Sequence, residues 1–209
     1  MKRVPVAREG WPFIAAPAVV AASLFASGRR RLALPFVAAT LASLGFFRDP
    51  ERRVPTTDGA VLSPADGRVT NVVDDVDEWV GPAVRVSIFL SPLDVHVNRA
   101  PIAGRVVDTV YTPGRFVAAF VPDAGVINER CALHLEGDTA RITVIQIAGA
   151  VARRIVCRVG RGDKLRAGER FGMIRFGSRT DCLMPPGTDV RVHVGDRVRG
   201  GETVLGVLP

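Results

Sequence analysis

The sequence has few aromatic residues, and this shortage narrows the fold classes that it can adopt. Only 6% of the 209 residues are aromatic, whereas 47% are hydrophobic and 21 are glycine. Because Val, Ile and Leu supply most of the apolar volume and glycine is typical of tight turns, this balance predicts a body of short β-strands. A chain of this length can bury a core of its own and accommodates one domain with an appendage.

Cysteine and histidine are also scarce. The three cysteines, Cys131, Cys157 and Cys182, form no Cys-x-x-Cys pair, and the three histidines are not clustered. An odd number of scattered cysteines argues against a disulfide framework, and without clustered ligands a zinc site is not indicated. We therefore expect no metal cofactor and a reducing, cytoplasmic environment for the body.

Acidic residues are scarce in the first quarter of the chain. Residues 1–53 contain nine lysines and arginines but three acids, so this segment carries +6 of the formal net charge of +7. A nucleic-acid-binding protein would carry its basic patch on the folded body, so nucleic acid is not an expected partner. Basic residues that flank apolar segments are instead typical of proteins attracted to anionic lipid headgroups.

Two apolar stretches, residues 11–27 and 32–47, are separated by Gly28 and three arginines. As helices, each would reach about 25 Å, which is short of the roughly 30 Å hydrocarbon core of a bilayer. Both contain proline, and basic residues occur on every side, so no charge asymmetry orients a double span. We predict that residues 1–55 form an apolar helical hairpin and linker, embedded in one leaflet or lying at the membrane surface.

A secretory signal peptide is the competing interpretation of this segment, because a basic start precedes an apolar middle. The second apolar stretch and the charged segment 48–53 favour retention as an anchor. Pro50 and Pro55 end any helix before the body begins. The expected location is therefore the cell membrane, with the body, residues 56–209, on the cytoplasmic side.

The body shows short β-branched runs bounded by Gly, Pro or Asp, at residues 84–90, 141–147 and 153–159. Such runs predict strands, and their number and length predict a compact β-sandwich or barrel. Residues 159–174 and 194–207 repeat one pattern, in which Gly-Asp is followed by Gly-Glu and then by an apolar strand. This repeat resembles the hammerhead turn of biotinyl and lipoyl carrier domains.

The scarcity of lysine separates this fold from the function of the carrier domains. A carrier holds its cofactor on a lysine at the tip of a hairpin. The chain contains two lysines, of which Lys2 lies in the N-terminal tail and Lys164 lies inside the repeated turn itself. The pattern therefore indicates the carrier-like fold without the carrier function.

Two polar stretches in the body are candidates for chemistry. One is the turn at residues 64–67, which contains Asp66, and the other is residues 91–101, which contain His96. Asp66 as a plain turn residue and His96 as a hydrogen-bonded loop residue remain the alternatives. His134 and His193 alternate with apolar neighbours, so both are predicted to lie on the outer faces of half-buried strands. A structural, capping role is expected for the segment 128–130.

Five short motifs follow one another along the chain: Arg48-Asp49-Pro50, Pro64-Ala65-Asp66-Gly67, Ser91-Pro92-Leu93-Asp94-Val95-His96, Asn128-Glu129-Arg130 and Phe176-Gly177-Ser178. Their order resembles that of the phosphatidylserine decarboxylases in their short prokaryotic form. The resemblance covers the chain from about residue 46 to its end. Two features depart from the longer members: Arg99 replaces a second histidine, and the cleavage motif is Phe-Gly-Ser-Arg in place of Leu-Gly-Ser-Thr.

This resemblance implies a carboxy-lyase that converts phosphatidylserine to phosphatidylethanolamine and CO₂. It implies a proenzyme that cuts itself at Gly177–Ser178 into a β chain of residues 1–177 and an α chain of residues 178–209. Ser178 would become a pyruvoyl group that forms a Schiff base with the substrate. In this scheme Asp66 orients His96, and His96 deprotonates Ser178 and later protonates the decarboxylated product.

Two alternatives stay open at this stage. The motifs concern the serine headgroup, so they do not separate phosphatidylserine from a serine ether lipid resembling archaetidylserine. A non-catalytic, membrane-tethered module with the carrier-like fold is the alternative from another class. The expected partners are the phospholipid substrate, the membrane surface and the two chains of one precursor, with a homo-oligomer also compatible. Arg99 and Arg115 are candidates for contacts to the lipid phosphate.

Overall fold

The computed structural model describes residues 5–117, 124–149, 154–175 and 178–209. It divides into two compact units, Met1–Glu51 and Arg52–Pro209. The first unit is helical and apolar, and the second consists mainly of β-strands. The predicted fold class, an apolar helical hairpin that precedes a compact β body with carrier-like turns, is therefore confirmed.

The first unit is a pair of helices. A 3-10 turn, Arg8–Gly10, leads into α1 (Trp11–Ala26), and α2 (Arg30–Phe46) follows a turn at Gly28, whose φ is +77°. Pro12 lies in the first turn of α1, where its missing N–H would have no partner in the helix. Many large apolar side chains of this unit are exposed: Trp11, Phe13, Val19, Val20, Phe25, Leu32, Leu34, Phe36, Leu41 and Leu44.

By length and composition, one helix among the described residues, Arg8–Ala26, is long and apolar enough to cross a membrane. This helix begins before the predicted apolar stretch, because the 3-10 turn runs directly into α1.

Backbone hydrogen bonds join the two ends of the first unit. The Ala7 amide donates to the Phe47 carbonyl and the Asp49 amide donates to the Pro5 carbonyl, each at 2.8 Å.

The second unit is built from short strands and one short helix. In chain order these are β1 (Ala60–Leu62), β2 (Gly67–Asp77), β3 (Gly81–Leu90), β4 (Val97–Arg99), β5 (Gly104–Thr112), α3 (Ala124–Ile127), β6 (Arg130–Glu136), β7 (Arg141–Ala148), β8 (Arg154–Cys157), β9 (Lys164–Leu165), β10 (Arg170–Arg175), β11 (Ser178–Met184), β12 (Asp189–Val190), β13 (Arg197–Val198) and β14 (Val204–Val207). The three predicted strands correspond to β3, β7 and β8. β8 is shorter than predicted, and residue 153 lies outside the described residues.

Within the described ranges, these strands form one eight-stranded sheet and two three-stranded sheets. The large sheet has the order β13-β2-β3-β11-β7-β6-β5-β9. The small sheets have the orders β1-β14-β12 and β4-β10-β8. All neighbouring strands are antiparallel.

The strand order has an internal two-fold symmetry. One half consists of β4 to β10, and the other consists of β1 to β3 together with β11 to β14. Each half contributes four strands to the large sheet, and the strands that are equally far from the two edges correspond to each other. The half containing β4 to β10 is continuous in sequence and is inserted between β3 and β11. The chain therefore returns from the inserted half to the outer half at Ser178, the first residue of β11.

The repeated Gly-Asp pattern produces equivalent turns in the two halves. The carbonyl of Asp163 accepts a hydrogen bond from the Val106 amide, and the carbonyl of Asp196 accepts one from the Val69 amide, at 2.8 and 2.9 Å. The carboxylate of each aspartate also accepts a hydrogen bond from the amide three residues earlier, at 2.9 and 2.8 Å. The short strands β9 and β13 follow these turns and cover the two edges of the large sheet.

The core lies between the large sheet and the two small ones. It contains Ile88, Leu133 and Val144 from the middle of the large sheet, and Phe171 and Leu205 from the small sheets. Along β11, side chains alternate in direction, and Cys182 and Met184 belong to this core. Ser178 and Thr180 occupy the same face of β11, so both point toward the interior.

Gly67 and Gly104 are the first residues of the equivalent strands β2 and β5, and each packs closely against a backbone carbonyl oxygen of a neighbouring strand. A Cβ on Gly67 would lie 2.2 Å from the Phe89 oxygen, and a Cβ on Gly104 would lie 2.6 Å from the Glu136 oxygen. Neither site has room for a side chain, because the obstructing atom belongs to the backbone.

We expect Gly67→Ala to lower the free energy of unfolding by about 2–4 kcal/mol, because the new methyl group must displace the Phe89 backbone and the φ of +154° disfavours alanine. Gly160→Ala is the matched control, because a Cβ there meets no heavy atom within 4 Å. Thermal and denaturant unfolding of the full chain would measure both. A Gly67→Ala protein as stable as the control would contradict the close packing of β2 on β3.

Candidate active site

Ser178 is fully buried at the start of β11. Its backbone is paired with Leu90 of β3 on one side and with Ala148 of β7 on the other. Its Oγ is buried and has no hydrogen-bond partner among the described residues. An unpaired buried hydroxyl costs about 1–3 kcal/mol, so it marks a position where stability is not the only requirement. Phe176 and Gly177, the other residues of the predicted cleavage motif, lie outside the described residues.

His96 is fully buried immediately before β4. Its Nδ1 lies 2.9 Å from the carbonyl oxygen of Asp94. Because a carbonyl oxygen only accepts hydrogen bonds, Nδ1 carries the proton and Nε2 is the basic nitrogen of the neutral ring. The carbonyl oxygen of His96 accepts a hydrogen bond from the Ile174 amide at 3.2 Å, which fixes His96 beside β10, the strand that precedes Ser178 in the chain.

Asp66 lies in the turn between β1 and β2 and is largely buried. Its Oδ2 accepts a hydrogen bond from Arg52 at 2.7 Å, and its Oδ1 accepts one from the Gly200 amide at 2.8 Å. Burial raises the pKa of Asp66 above its ordinary value, the positive charge of Arg52 and the Gly200 hydrogen bond oppose that rise, and the nearby charge of Asp94 adds to it. Both carboxylate oxygens are thus engaged, and the orientation of His96 by Asp66 stays a prediction.

Backbone and side-chain hydrogen bonds join the segments that contain these residues. The Arg99 amide donates to the Pro64 carbonyl at 2.9 Å, which links β4 to the turn containing Asp66. The Asn98 amide group donates to Thr180 Oγ1 at 3.2 Å, which links β4 to β11. The structure therefore brings the turn at 64–67, the segment 94–99 and the start of β11 to one place in the interior.

A buried polar network beside Ser178 was not predicted from the sequence. Gln146 of β7 donates through Nε2 to Asn98 Oδ1 at 2.8 Å, and Asn98 in turn contacts Thr180. All three side chains are fully buried. One signal was present, because Gln146 is a polar residue between two isoleucines of a predicted strand, but nothing in the sequence identifies its partner.

The charged pair that follows Ser178 was not predicted either. Arg179 and Asp181 of β11 form a two-pronged ion pair, with Nε to Oδ1 at 2.8 Å and Nη2 to Oδ2 at 2.7 Å. Both are almost fully buried, on the face of β11 opposite to Ser178. A Cβ on Gly125 of α3 would lie 2.5 Å from the Arg179 guanidinium, so this glycine leaves room for the arginine.

The remaining candidates have structural contacts. Asn128 donates to the Ala148 carbonyl at 2.7 Å and exchanges two hydrogen bonds of 2.8 Å with the Val117 backbone, so it has a structural role. His134 is half-buried and stacks on Trp79, and the exposed His193 lies 3.8 Å from Asp196.

The arginines considered for the lipid phosphate also have backbone contacts. Arg99 is buried and donates to the Gly168 carbonyl at 3.1 Å, and the Arg115 amide donates to the Ile127 carbonyl at 2.8 Å.

The three cysteines are free thiols. Among the described residues, no three His, Cys, Asp or Glu side chains lie close enough together to hold a metal ion.

The chain is similar to known proteins over nearly all of its length. The family model described as "Phosphatidylserine decarboxylase" matches residues 40–206. A protein of Symbiobacterium thermophilum is 49% identical over 215 residues, which cover 100% of this chain and 98% of the relative. A protein of Desulfotalea psychrophila is 46% identical over 209 residues, covering 99% and 98%. Both relatives are named "Phosphatidylserine decarboxylase proenzyme".

We expect Arg52→Met to lower the free energy of unfolding by about 3 kcal/mol at pH 7, because it leaves the largely buried carboxylate of Asp66 without its cation. The pKa of Asp66 should then rise further, so its ionisation becomes more costly. As the pH falls through the raised folded-state pKa of Asp66, its carboxyl group becomes protonated in the folded form of both proteins, and the deficit should shrink.

Glu202, the second partner of Arg52, should act in the same direction. A hydrogen bond from the Arg53 amide, assisted by the Arg52 charge, lowers the pKa of Glu202, so its stabilising effect is present at neutral pH and is lost on acidification. Arg53→Met is the control, because only the backbone amide of Arg53 binds Glu202. Denaturant unfolding at several pH values would measure both variants. A deficit that does not depend on pH would contradict the ionic role of Arg52.

Proposed function

Since the chain belongs to the phosphatidylserine decarboxylase family, we propose that it is a proenzyme that cuts itself between Gly177 and Ser178 and then decarboxylates phosphatidylserine at a pyruvoyl group formed from Ser178. The expected resemblance is confirmed, and the chain is a decarboxylase, a lyase of phospholipid metabolism. The observation that carries the proposal is the buried Ser178 Oγ at the start of β11, which has no hydrogen-bond partner in the part of the chain that the structure describes.

Self-cleavage begins with Ser178 as the nucleophile. A serine hydroxyl needs a base, and His96 Nε2 is the nitrogen left basic by the bond from Nδ1 to the Asp94 carbonyl. Ser178 Oγ gives its proton to His96 and bonds to the carbonyl carbon of Gly177, and the Ser178 nitrogen leaves that carbon as an amine. The amide is thereby converted to an ester. Loss of the Ser178 α proton then expels residues 1–177 as a carboxylate and leaves dehydroalanine.

The dehydroalanine tautomerises and takes up one water, which releases ammonia and leaves a ketone on residue 178. These steps require neither an oxidant nor a metal ion. The site is compatible with the product, because within the described ranges no hydrogen bond to the Ser178 Oγ would be lost when this oxygen leaves in the carboxylate of residues 1–177. The pairing of β11 with β3 and β7 supports retention of the α chain, residues 178–209, after the cut.

The pyruvoyl carbonyl supplies an electron sink for the loss of CO₂ from a substrate that carries a primary amine. The product carbon must then receive a proton, and we assign His96 Nε2 as the atom that holds it. The full burial of His96 and Ser178 keeps bulk water away from this proton transfer.

Asp66 is retained as the residue that orients His96. The turn that contains Asp66 is hydrogen-bonded to β4. Burial raises the pKa of Asp66 and the charge of Asp94 adds to that rise, so the two residues are neighbours, and the Asp94 carbonyl is the group that accepts the Nδ1 proton of His96. Arg52 and Gly200 fix the Asp66 carboxylate, so in this proposal its negative charge acts on the imidazole through the local field.

The N-terminal hairpin and linker, residues 1–55, are assigned to the membrane surface, with the catalytic domain, residues 56–209, on the cytoplasmic side. The exposed apolar side chains of α1 and α2 support contact with acyl chains. Arg29, Arg30 and Arg31 are exposed at the turn between the helices, where they suit anionic lipid headgroups. A lipid-bound enzyme has direct access to a diacyl substrate.

Intact mass should show two chains in the purified protein, the smaller being the 32 residues from position 178 to 209 with a blocked N-terminus. Ser178→Ala should leave a single 22.4 kDa species, because the nucleophile is lost. His96→Ala and Asp66→Ala should leave mostly uncut precursor. His193→Ala is the control and should mature normally, since His193 is exposed. Normal maturation of His96→Ala would show that another base acts.

The assay of the cut enzyme should compare diacyl phosphatidylserine with a serine ether lipid in mixed micelles, with CO₂ release as the readout. We expect turnover of the diacyl substrate. Turnover of the ether lipid alone would instead support the ether-lipid alternative, and a fully cut protein inactive on both would contradict the assigned reaction.

Replacing Arg29, Arg30 and Arg31 together by Gln should weaken binding to vesicles that contain anionic lipid by about 1 kcal/mol per arginine at low salt. Co-sedimentation with anionic and with neutral vesicles would measure this. A matched set of exposed arginines on the body, Arg161, Arg166 and Arg199, serves as the control. Equal losses in the two variants would contradict a specific role of the helix turn.

A further inference from the structure

Asn98 is a fully buried residue of β4 whose side chain joins three other segments of the chain. Its Nδ2 donates to Thr180 Oγ1 at 3.2 Å and, more weakly, to the Pro64 carbonyl at 3.4 Å. Its Oδ1 accepts a hydrogen bond from Gln146 Nε2 at 2.8 Å. One side chain thus connects β11, β7 and the turn that contains Asp66.

The spacing of these contacts matches the spacing of the proposed reacting residues. Asn98 follows His96 by two residues, and Thr180 follows Ser178 by two residues on the same face of β11. The contact between Asn98 and Thr180 therefore joins the segment that contains His96 to the strand that begins at Ser178. The hydrogen bond therefore sets how β4 lies against β11 next to the reacting pair.

Gln146 fixes the orientation of the Asn98 amide. Because Gln146 donates to Oδ1, the Nδ2 group of Asn98 must face Thr180, which is the backbone partner of Gln146 across β7 and β11. A Cβ on Gly172 would lie 2.9 Å from Gln146 Nε2, so the β10 backbone packs directly on this amide. The network is closely packed, and its members have little freedom to rearrange.

We propose that Asn98 is a positioning residue for self-cleavage, which holds the segment of His96 against the strand of Ser178 through its hydrogen bond to Thr180. This inference rests on the proposed function. A nucleophile and its base must meet within hydrogen-bonding distance, and a misplacement of about 1 Å can slow a reaction about 100-fold. Asn98 acts on the first step, in which the Ser178 proton passes to His96 Nε2 and the amide becomes an ester.

The test follows the split of newly made full-length chain over time, by gel and intact mass, for wild type, Asn98→Ala and Thr180→Val. Both variants remove the hydrogen bond, and valine keeps the shape of threonine. We expect the split to be about 10- to 100-fold slower in each. Thr143→Val is the matched control, because it loses a buried hydrogen bond of 2.7 Å to Asp77 on the same large sheet, away from Ser178. It should split at the wild-type rate.

Hydroxylamine separates a positioning role from a structural one. It cleaves the ester but not the amide, so it completes the split of chains that have passed the first step. We expect it to leave the slow variants uncut, because their defect precedes the ester. Melting temperatures measured in a Ser178→Ala background should fall by similar amounts in Thr180→Val and Thr143→Val.

Three outcomes would overturn the inference. Wild-type rates in both Asn98→Ala and Thr180→Val would show that the contact is not needed. Rescue of either variant by hydroxylamine would place the defect after ester formation, and slowing of Thr143→Val to the same extent would assign the effect to stability alone. An uncut wild-type chain would instead refute the proposed function, which distinguishes the two failures.

Discussion

The backbone ladder that holds β11 between β3 and β7 is the interaction on which the candidate site depends. Ser178 is paired with Leu90 on one side and Ala148 on the other, and the pairing continues from there along the strand. Hydrogen bonds between antiparallel strands do not require the chain to be continuous, so this ladder can persist after the bond preceding Ser178 is cut. Asn128, which binds the Ala148 carbonyl, supports the same ladder from outside.

The internal symmetry accounts for the position of Ser178, the proposed nucleophile. The half made of β4 to β10 is inserted between β3 and β11, and Ser178 is the residue at which the chain resumes the outer half. The proposed cut just before Ser178 would break the connection from β10 to β11 but not the one from β3 to β4. It would divide the outer half into β1 to β3 and β11 to β14, and the pairing of β14 with β1, β11 with β3 and β13 with β2 would hold these parts together. The strands after Ser178 are held by β1, β2, β3 and β7, all of which precede the cut.

The interior near Ser178 contains more polar groups than a core needs for stability. His96, Asn98, Gln146 and Thr180 are fully buried, and the Ser178 Oγ, which has no partner among residues that the structure describes, carries a cost that the fold must offset elsewhere. Arg52 and Asp66 form a further largely buried ionic contact at the neighbouring turn. Such groups are costly individually but give fixed geometry when they bond to one another, which suits the proposed reaction of Ser178 with the backbone of Gly177.

The sequence by itself determined the elements and the chemical types of the site. Short β-branched runs predicted β3 and β7, the Gly-Asp and Gly-Glu repeats predicted the paired turns, and the motifs singled out Ser178 and His96. The partners of these residues were decided by the tertiary structure. Gln146 and Thr180 could be placed on strand faces, but their meeting with Asn98 depends on β4 packing across β11, and Arg52 meets Asp66 and Glu202, the latter 150 residues away. Periodicity specifies which way a side chain points, whereas strand order and sheet stacking, set by burial of the whole core, specify what it touches.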